Sequence, residues 1–360
     1  MFKGLVSTFK AVAVGIAIGA VIVIALPNTR TATLSAIKEW LVTHTAPLSY
    51  SYAIKRSAPA VVNIYSITQH RDPFNNSKAD IQGLGSGVIM SSNGIIITNL
   101  HVISGADIIY VALQDGRHAI ASIVGTDDYT DLAILHIKED NLPVIPFDLK
   151  KEPQIGDLVL AIGNPYNLGQ TITQGIVSAT GRTRGITRSA FQHLLQTDAA
   201  INDGNSGGAL INSRGELVGI NAANFQSLDT NSSNGIGFAI PAKIAYKVLK
   251  DIIAEGYVPR GSLGFNIDRV FRQDNRTTYG EVSAIEPNGP ADIGGMEVGD
   301  IIVAVNNTPF ASIDDLLHVI SETKPNNEIE LTVLRGTESF NLSMKTVQRP
   351  PLILNTINRP

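Results

Sequence analysis

Between residues 60 and 237 the apolar positions come as short or alternating runs broken by Gly, Asn and Asp. The runs are Val61–Ile67, Gly87–Met90, Ile95–Thr98, Ile108–Leu113, Leu132–Ile137, Leu158–Ile162, Gly175–Ala179, Ala209–Ile211 and Leu217–Asn221. Such spacing predicts an all-β sandwich or barrel rather than alternating β and α units. From Pro241 to Gly256 the period changes. Ile244, Val248, Ile252 and Ile253 recur at helical spacing, with Pro at the start and Gly at the stop. This helix closes a first domain over residues 51–256. A second module follows over 258–347, with strands predicted near Gly280–Ile285, Ile301–Val305 and Ile329–Leu334 and a helix near Ile313–Thr323. The Pro-rich residues 348–360 have no periodicity and are assigned no structure.

The N-terminus follows a third pattern. Ala11 to Leu26 carries no charge, and Lys3 and Lys10 precede it. Its length gives about 24 Å of helix, a little short of a ~30 Å hydrocarbon core. Gly4 to Phe9 are mostly apolar and Lys10 can snorkel, so the span can extend backward. Residues 11–27 are therefore read as a transmembrane anchor, with 1–10 cytoplasmic and 28–50 a linker. The competing reading is a cleaved signal peptide, but Pro27-Asn28-Thr29-Arg30 follows where a small-x-small site should stand. A buried core helix fits less well, because the run has no polar face. Lysines inside place the rest of the chain outside the cytoplasm, which in a bacterium means a single-pass inner-membrane protein facing the periplasm.

The 360 residues accommodate two domains and an appendage, and 44% apolar residues with 32 Gly and 17 Pro describe a folded, turn-rich chain. The mean hydropathy of +0.12 is raised largely by the N-terminal run. A net charge of −4, from 28 basic and 32 acidic residues, argues against a dedicated nucleic-acid binder. The absence of cysteine removes disulfides, thiolate metal sites and cysteine nucleophiles. No His/Asp/Glu cluster has metal-ligand spacing, so no metal or cofactor is expected.

The sharpest chemical signal is Gly204-Asn205-Ser206-Gly207-Gly208. A serine between glycines on a tight turn can expose its hydroxyl while nearby backbone N–H groups converge on an oxyanion. The string also satisfies the nucleophile elbow of α/β-hydrolases, which requires an acid and then a histidine after the serine. His318, in the second module, is the only later histidine, and Ser206 lies between β-like runs. The order His–Asp–Ser fits instead. His101 follows the run Ile95–Thr98, and Asp131 opens the run Leu132–Ile137. His101 is the candidate general base, Asp131 the acid that orients it and Ser206 the nucleophile. The N–H groups of Gly204 and Ser206, with Asn205 between them, are the candidate oxyanion hole. His44, His70, His118, His136 and His193 lack such company and read as surface or satisfied polar residues. Asp127-Asp128 reads as a solvated turn, and Asp314-Asp315 as the acidic first turn of a helix.

Residues 51–256 resemble the HtrA family of chymotrypsin-like serine proteases. The resemblance rests on Ala58-Pro59-Ala60-Val61-Val62, Gly85-Ser86-Gly87-Val88, Thr98-Asn99-x-His101-Val102, Asp131-Leu132-Ala133 and Ala161-Ile162-Gly163-Asn164-Pro165. It continues through Thr173-x-Gly175-Ile176-Val177-Ser178, Leu195-Gln196-Thr197-Asp198-Ala199, Gly204–Gly208 and Gly235–Pro241. Leu100 stands where many members carry alanine. The resemblance implies two six-stranded β-barrels with the triad in the cleft between them. The residue six before the nucleophile then lines the base of the P1 pocket. Here it is Ala200. With no carboxylate there, a basic P1 side chain would be buried unpaired, so small or medium apolar P1 residues are expected.

Ser262-Leu263-Gly264-Phe265 resembles the carboxylate-binding loop of PDZ domains, with Ser262 where Gly is usual. Backbone N–H groups of such a loop receive a chain-terminal carboxylate, and the next strand takes the peptide by β-augmentation. Pro290-Ala291-x-x-x-Gly295-Met296-x-x-Gly299-Asp300-x-Ile302-x-x-Val305-Asn306 matches the PDZ core pattern. An α+β PDZ domain is expected. One anchor and one PDZ domain resemble the membrane-anchored branch of the family. That branch implies a homotrimer held by the N-terminal part of the protease domain, with Tyr50 and Tyr52 as candidate contacts. It also implies activation by C-terminal peptides of misfolded outer-membrane proteins and cleavage of a membrane anti-sigma factor. Arg182 matches that branch's activation-loop arginine and forms a small basic cluster with Arg184 and Arg188. From the residues alone this cluster reads as a solvated loop. Two other readings stay open: a general protease and chaperone for unfolded envelope proteins, and an inactive scaffold that binds peptide C-termini.

Overall fold

A computed structural model describes residue 15 and residues 49–71, 77–164, 169–182, 194–202, 204–224, 235–272 and 278–349. The proposed anchor (Gly15 apart), nearly all of the linker and residues 350–360 lie outside these. No helix among the described residues is long and apolar enough to cross a membrane. The described residues from Tyr52 onward belong to one compact unit.

The chain enters through helix α1 (Ser51–Ser57) and a 3-10 turn (Ala58–Ala60) and then closes a first barrel. Its strands are β1 (Val61–Arg71), β2 (Ser77–Ile89), β3 (Ile95–Asn99), β4 (Ile108–Ala112), β5 (His118–Asp127) and β6 (Leu132–His136), ordered β1-β2-β3-β6-β5-β4. A short helix, α2 (Leu100–Ile103), follows β3. A second closed barrel takes β7 (Leu158–Gly163), β8 (Thr171–Arg182), β9 (Leu194–Thr197), β10 (Ala209–Asn212), β11 (Leu217–Asn224) and β12 (Gly237–Pro241), ordered β10-β11-β12-β9-β8-β7. Two six-stranded barrels were expected, and closure removes the free edges an open sheet would leave.

The core strands carry the β-branched and leucine-rich runs. Ile96 and Ile97 on β3 and Leu132 to Leu135 on β6 are fully buried. β3 and β6 pair antiparallel, Ile97 opposite Ile134 and Asn99 opposite Leu132. Consecutive residues are buried on both strands, so each packs on both of its faces.

Helix α3 (Ala242–Glu255) runs from Pro241 to a left-handed Gly256 (φ 78°), whose N–H donates to the Ile252 carbonyl at 2.8 Å. Ala245, Val248, Leu249 and Ile252 form its buried face, whereas Ile253, read as part of that face, is half exposed. The helix packs on β11 and β5 and so touches both barrels.

The last module holds a five-stranded antiparallel sheet. Its strands are β14 (Phe265–Arg272), β15 (Thr278–Ile285), β16 (Ile301–Val305), β17 (Glu328–Arg335) and β18 (Glu338–Lys345), in sequence order. A separate pair, β13 (Gly261–Ser262) and β19 (Val347–Gln348), closes the module. Helices α4 (Pro290–Ile293) and α5 (Ile313–Glu322) complete it. Leu263, Val282, Met296, Ile302, Phe310, Leu316, Ile320, Leu331 and Val333 make its core. Asp314 and Asp315 do occupy the first turn of α5, where the Ser312 hydroxyl accepts the Asp315 N–H at 3.2 Å. Gln348 and Arg349, read with the unstructured tail, are held: Gln348 pairs with Gly261, and the Arg349 N–H donates to the Arg260 carbonyl at 2.7 Å.

The acidic pair Asp127-Asp128 corrects the sequence reading. Asp127 is buried rather than solvated, and its carboxylate accepts from Arg260 at 2.8 Å and from the Thr130 hydroxyl at 2.7 Å. Asp128 accepts from Arg349 at 3.3 Å. The two arginines lie 133 and 221 positions further along the chain, so no local pattern could reveal them.

Candidate active site

The β3–β6 register brings His101 and Asp131 together, one just past the end of β3 and the other just before β6. The Leu100 N–H and the Asn99 side-chain amide both donate to the Asp131 carbonyl, at 2.9 and 3.0 Å. Asp131 takes a left-handed conformation (φ 58°), which a short polar side chain tolerates better than most. Its carboxylate accepts from the His101 N–H at 2.9 Å through Oδ1 and meets His101 Nδ1 at 2.6 Å through Oδ2. A carboxylate can only accept, so Nδ1 carries the proton and Nε2 is left as a base.

Ser206 sits on a turn pinned at four backbone positions. Asn205 N–H donates to the Asn202 carbonyl, Gly208 N–H to Asn205, Gly207 N–H to Asn221 and Asn221 N–H to Gly208, all at 2.8–2.9 Å. Gly207 (φ 81°) must lack a side chain, because a Cβ there would collide with the Ser86 carbonyl and the Thr98 hydroxyl. The N–H groups of Gly204 and Ser206 are not committed to any acceptor among the described residues, while that of Asn205 is. The Asn205 side chain is buried against Gly163. The Ser206 hydroxyl donates to the Ala222 carbonyl at 3.1 Å, and no hydrogen bond joins it to His101. Ala200 lies against the same turn, its carbonyl accepting from the Thr173 hydroxyl at 2.7 Å and the Asn205 amide at 3.4 Å.

Ser86 was not assigned a role from the sequence, where it was one residue of a matching stretch. It is fully buried on β2 and touches the Ser206 turn directly, its N–H donating to the Ser206 carbonyl at 2.8 Å. A serine between two glycines in an apolar strand was the available signal.

In the last module, the turn before β14 has Gly264 in a left-handed conformation (φ 73°) and Leu263 buried beneath it. The Glu286 N–H donates to the Gly264 carbonyl at 2.8 Å and the Ala291 N–H to that of Leu263 at 2.9 Å. Ser262 pairs with Val347, and Phe265 opens β14, which is an edge strand of its sheet. That edge leaves room for an added strand.

The module is tied to the first barrel beside Asp131. Arg260 joins Asp127 and Glu322, and its guanidinium lies 4.7 Å from the Tyr129 ring centre. Arg349 lies 5.8 Å from the same ring, and Tyr129 stacks on His318 of α5. Burial tends to lower the Arg260 pKa, but the charge and hydrogen bond of Asp127 outweigh it and raise the value. Arg182 ends β8 opposite Leu194. Its side chain, and Arg184 and Arg188, lie outside the described residues. No cluster among the described residues could hold a metal ion.

Two closed barrels, a His–Asp pair and a serine on a glycine turn define a trypsin-like serine peptidase, here with a PDZ domain behind it. The trypsin-like peptidase domain profile matches residues 85–220 and the PDZ domain profile residues 281–335. The chain is 44% identical to the serine endoprotease DegS of Salmonella typhimurium, over 96% of this chain and 99% of that one. DegS of Escherichia coli K12 gives the same identity and coverage. Among solved structures, a serine endoprotease from Yersinia pestis is 45% identical with a TM-score of 0.68, covering 85% of this chain and all of that one. An HtrA-type protease, AlgW, solved with a decapeptide, is 40% identical with a TM-score of 0.73, over 84% of this chain and all of that one. The chain belongs to the HtrA family of serine endoproteases, among the DegS-like members.

Proposed function

We propose that the protein is an anchored, regulated endopeptidase that cleaves a membrane anti-sigma factor-like protein and is switched on by peptide C-termini bound to its PDZ domain. Ser206 Oγ attacks the scissile carbonyl and gives its proton to His101 Nε2, while Asp131 holds the imidazole and steadies the imidazolium. The N–H groups of Gly204 and Ser206, either side of Asn205, receive the oxyanion. His101 then protonates the leaving amine, and water repeats the sequence on the acyl-enzyme. Ala200 at the base of the P1 pocket favours small or medium apolar residues.

The observation that carries the regulated reading is the orientation of Ser206. The His101–Asp131 pair is made, yet the nucleophile's hydroxyl faces the Ala222 carbonyl. Cleavage requires it to turn to His101. The Arg260–Asp127 contact ties the PDZ domain to a stretch four residues from Asp131, a route by which a peptide on Ser262, Leu263, Gly264 and Phe265 can bias that change. Arg182, at the end of β8, is assigned to the loop that carries it. Residues 11–27 are assigned as the inner-membrane anchor, with the catalytic and PDZ domains in the periplasm as a homotrimer.

The test measures cleavage of unfolded casein and of a single-pass anti-sigma factor substrate, with and without an outer-membrane-protein C-terminal peptide. Strong stimulation by peptide and selective cleavage of the membrane substrate are expected. Broad casein cleavage without peptide would replace this reading with a general quality-control protease. Failure of a serine-directed phosphonate to label the wild type above Ser206→Ala would leave a peptide-binding scaffold.

A further inference from the structure

We propose that Ser86 is a positioning residue that holds the Gly204–Ser206 turn in the shape that receives the oxyanion. The inference rests on the reading of Ser206 as nucleophile.

Ser86 makes four polar contacts while fully buried. Its hydroxyl donates to the Gly204 carbonyl at 2.7 Å and accepts the Asn164 N–H at 3.1 Å. Its N–H donates to the Ser206 carbonyl at 2.8 Å, and its carbonyl accepts the Thr98 hydroxyl at 2.7 Å. A serine hydroxyl can donate and accept at once, so one side chain serves both the turn and the end of β7.

Position gives these contacts their meaning. The Gly204 carbonyl belongs to the peptide between Gly204 and Asn205, and the Ser206 carbonyl to the peptide between Ser206 and Gly207. Ser86 therefore pins the peptide on each side of the Asn205–Ser206 unit, whose N–H is one of the two oxyanion donors. Pinning the Gly204 carbonyl also limits the direction of the other, since only the Gly204 torsions (φ 97°) separate it from that donor. Each peptide is planar and moves as a rigid unit, so holding the two flanking peptides limits how the Asn205–Ser206 peptide between them can rotate. Through Thr98 the same residue is bonded to β3, the strand that leads to His101. The base and the oxyanion donors thus share one point of reference across the two barrels.

Ser57 supplies the control. Its hydroxyl is equally buried and lies 2.7 Å from the Gly215 carbonyl and 2.9 Å from that of Ala53, which share its single proton, and neither contact touches the turn.

The experiment compares the wild type, Ser86→Ala and Ser57→Ala, each fully activated by peptide. It reads kcat, KM, melting temperature and affinity for a peptide boronic acid with an apolar P1 residue. Loss of an oxyanion donor costs about 100- to 1000-fold in kcat, so its displacement should cost about 10- to 100-fold. Ser86→Ala should lose that much in kcat with KM within about twofold, and boronate affinity should fall by the same factor. Ser57→Ala should lose a similar margin of melting temperature and keep its kcat. If Ser86→Ala does not fold, Ser86→Cys, a weak donor of similar shape, carries the same expectation. Unchanged kcat or boronate affinity in the Ser86 variant overturns the proposal, as does a kcat loss that follows melting temperature equally in both serine variants. Full activity in Ser206→Ala instead overturns the nucleophile reading, and Ser86 falls with it.

Discussion

Arg260 and Asp127 form an ion pair at 2.8 Å with side chains 5% and 2% exposed, joining the PDZ domain to the stretch that leads into Asp131. Burial of two charges is tolerated because each is paired and hydrogen-bonded, and removing one leaves the other stranded. Arg260→Met should therefore destabilise the fold by about 3 kcal/mol in denaturant titration. Loosening the contact should also raise cleavage in the absence of peptide and shrink the stimulation by peptide, within the roughly 5- to 150-fold range of ordinary allosteric coupling. Basal activity that falls together with stability would reject the contact as a restraint on the resting enzyme.

Asp131→Asn should fold normally and lose about 1000- to 10,000-fold in kcat. The amide nitrogen would face Nδ1 as a donor and favour the tautomer whose Nε2 is protonated. Steady-state kinetics with an activating peptide checks this, and a loss under tenfold would remove Asp131 from the mechanism.

Ala200→Asp should admit Lys and Arg at P1. The wild type should discriminate against them by a factor of 100 or more, the consequence of about 3 kcal/mol for an unpaired buried charge. Mass-spectrometric mapping of cleavage sites in a denatured protein reports both preferences.

In the PDZ domain, Arg335 grips Asp300 through Nε–Oδ1 at 2.7 Å and Nη2–Oδ2 at 2.8 Å, and the Glu297 N–H donates to Oδ2 at 2.8 Å. Burial pushes the Asp300 pKa up, but these hydrogen bonds and the Arg335 charge outweigh it, so the carboxyl stays below its usual value. A depressed native pKa adds stability that is present above the unfolded value near 3.9 and is lost as pH falls through the native value. Calorimetry should show PDZ stability falling below about pH 4. Asp300→Asn should lose about 2 kcal/mol at pH 7 and flatten that acid limb. An unchanged limb would assign the acid sensitivity to other carboxylates.

Much of the fold could be read in advance where side-chain patterns are local. The β3 and β6 runs and α3 with its Pro and Gly ends follow from periodicity and caps. The strand β5 did not, because His118–Asp127 alternates weakly and keeps only two of its ten positions buried. Strands β13 and β19 are two residues each, too short for any period, and exist because they pair with each other across the module. Ile253 shows the limit of periodicity, since helical spacing places a residue near a face without saying where the face ends.

The sequence by itself determined the parts: strand-forming runs, a glycine turn around Ser206, a histidine and an aspartate beside buried strands, and an apolar N-terminal segment. These follow from local chemistry, which needs only neighbouring residues to act. Only the tertiary structure decided how the parts meet. The antiparallel β3–β6 register sets His101 on Asp131, Ser86 on the first barrel holds the turn of the second, and Arg260 reaches back to Asp127 across 133 positions. Contacts at such separation arise from the packing of whole domains, and no window along the chain contains both partners.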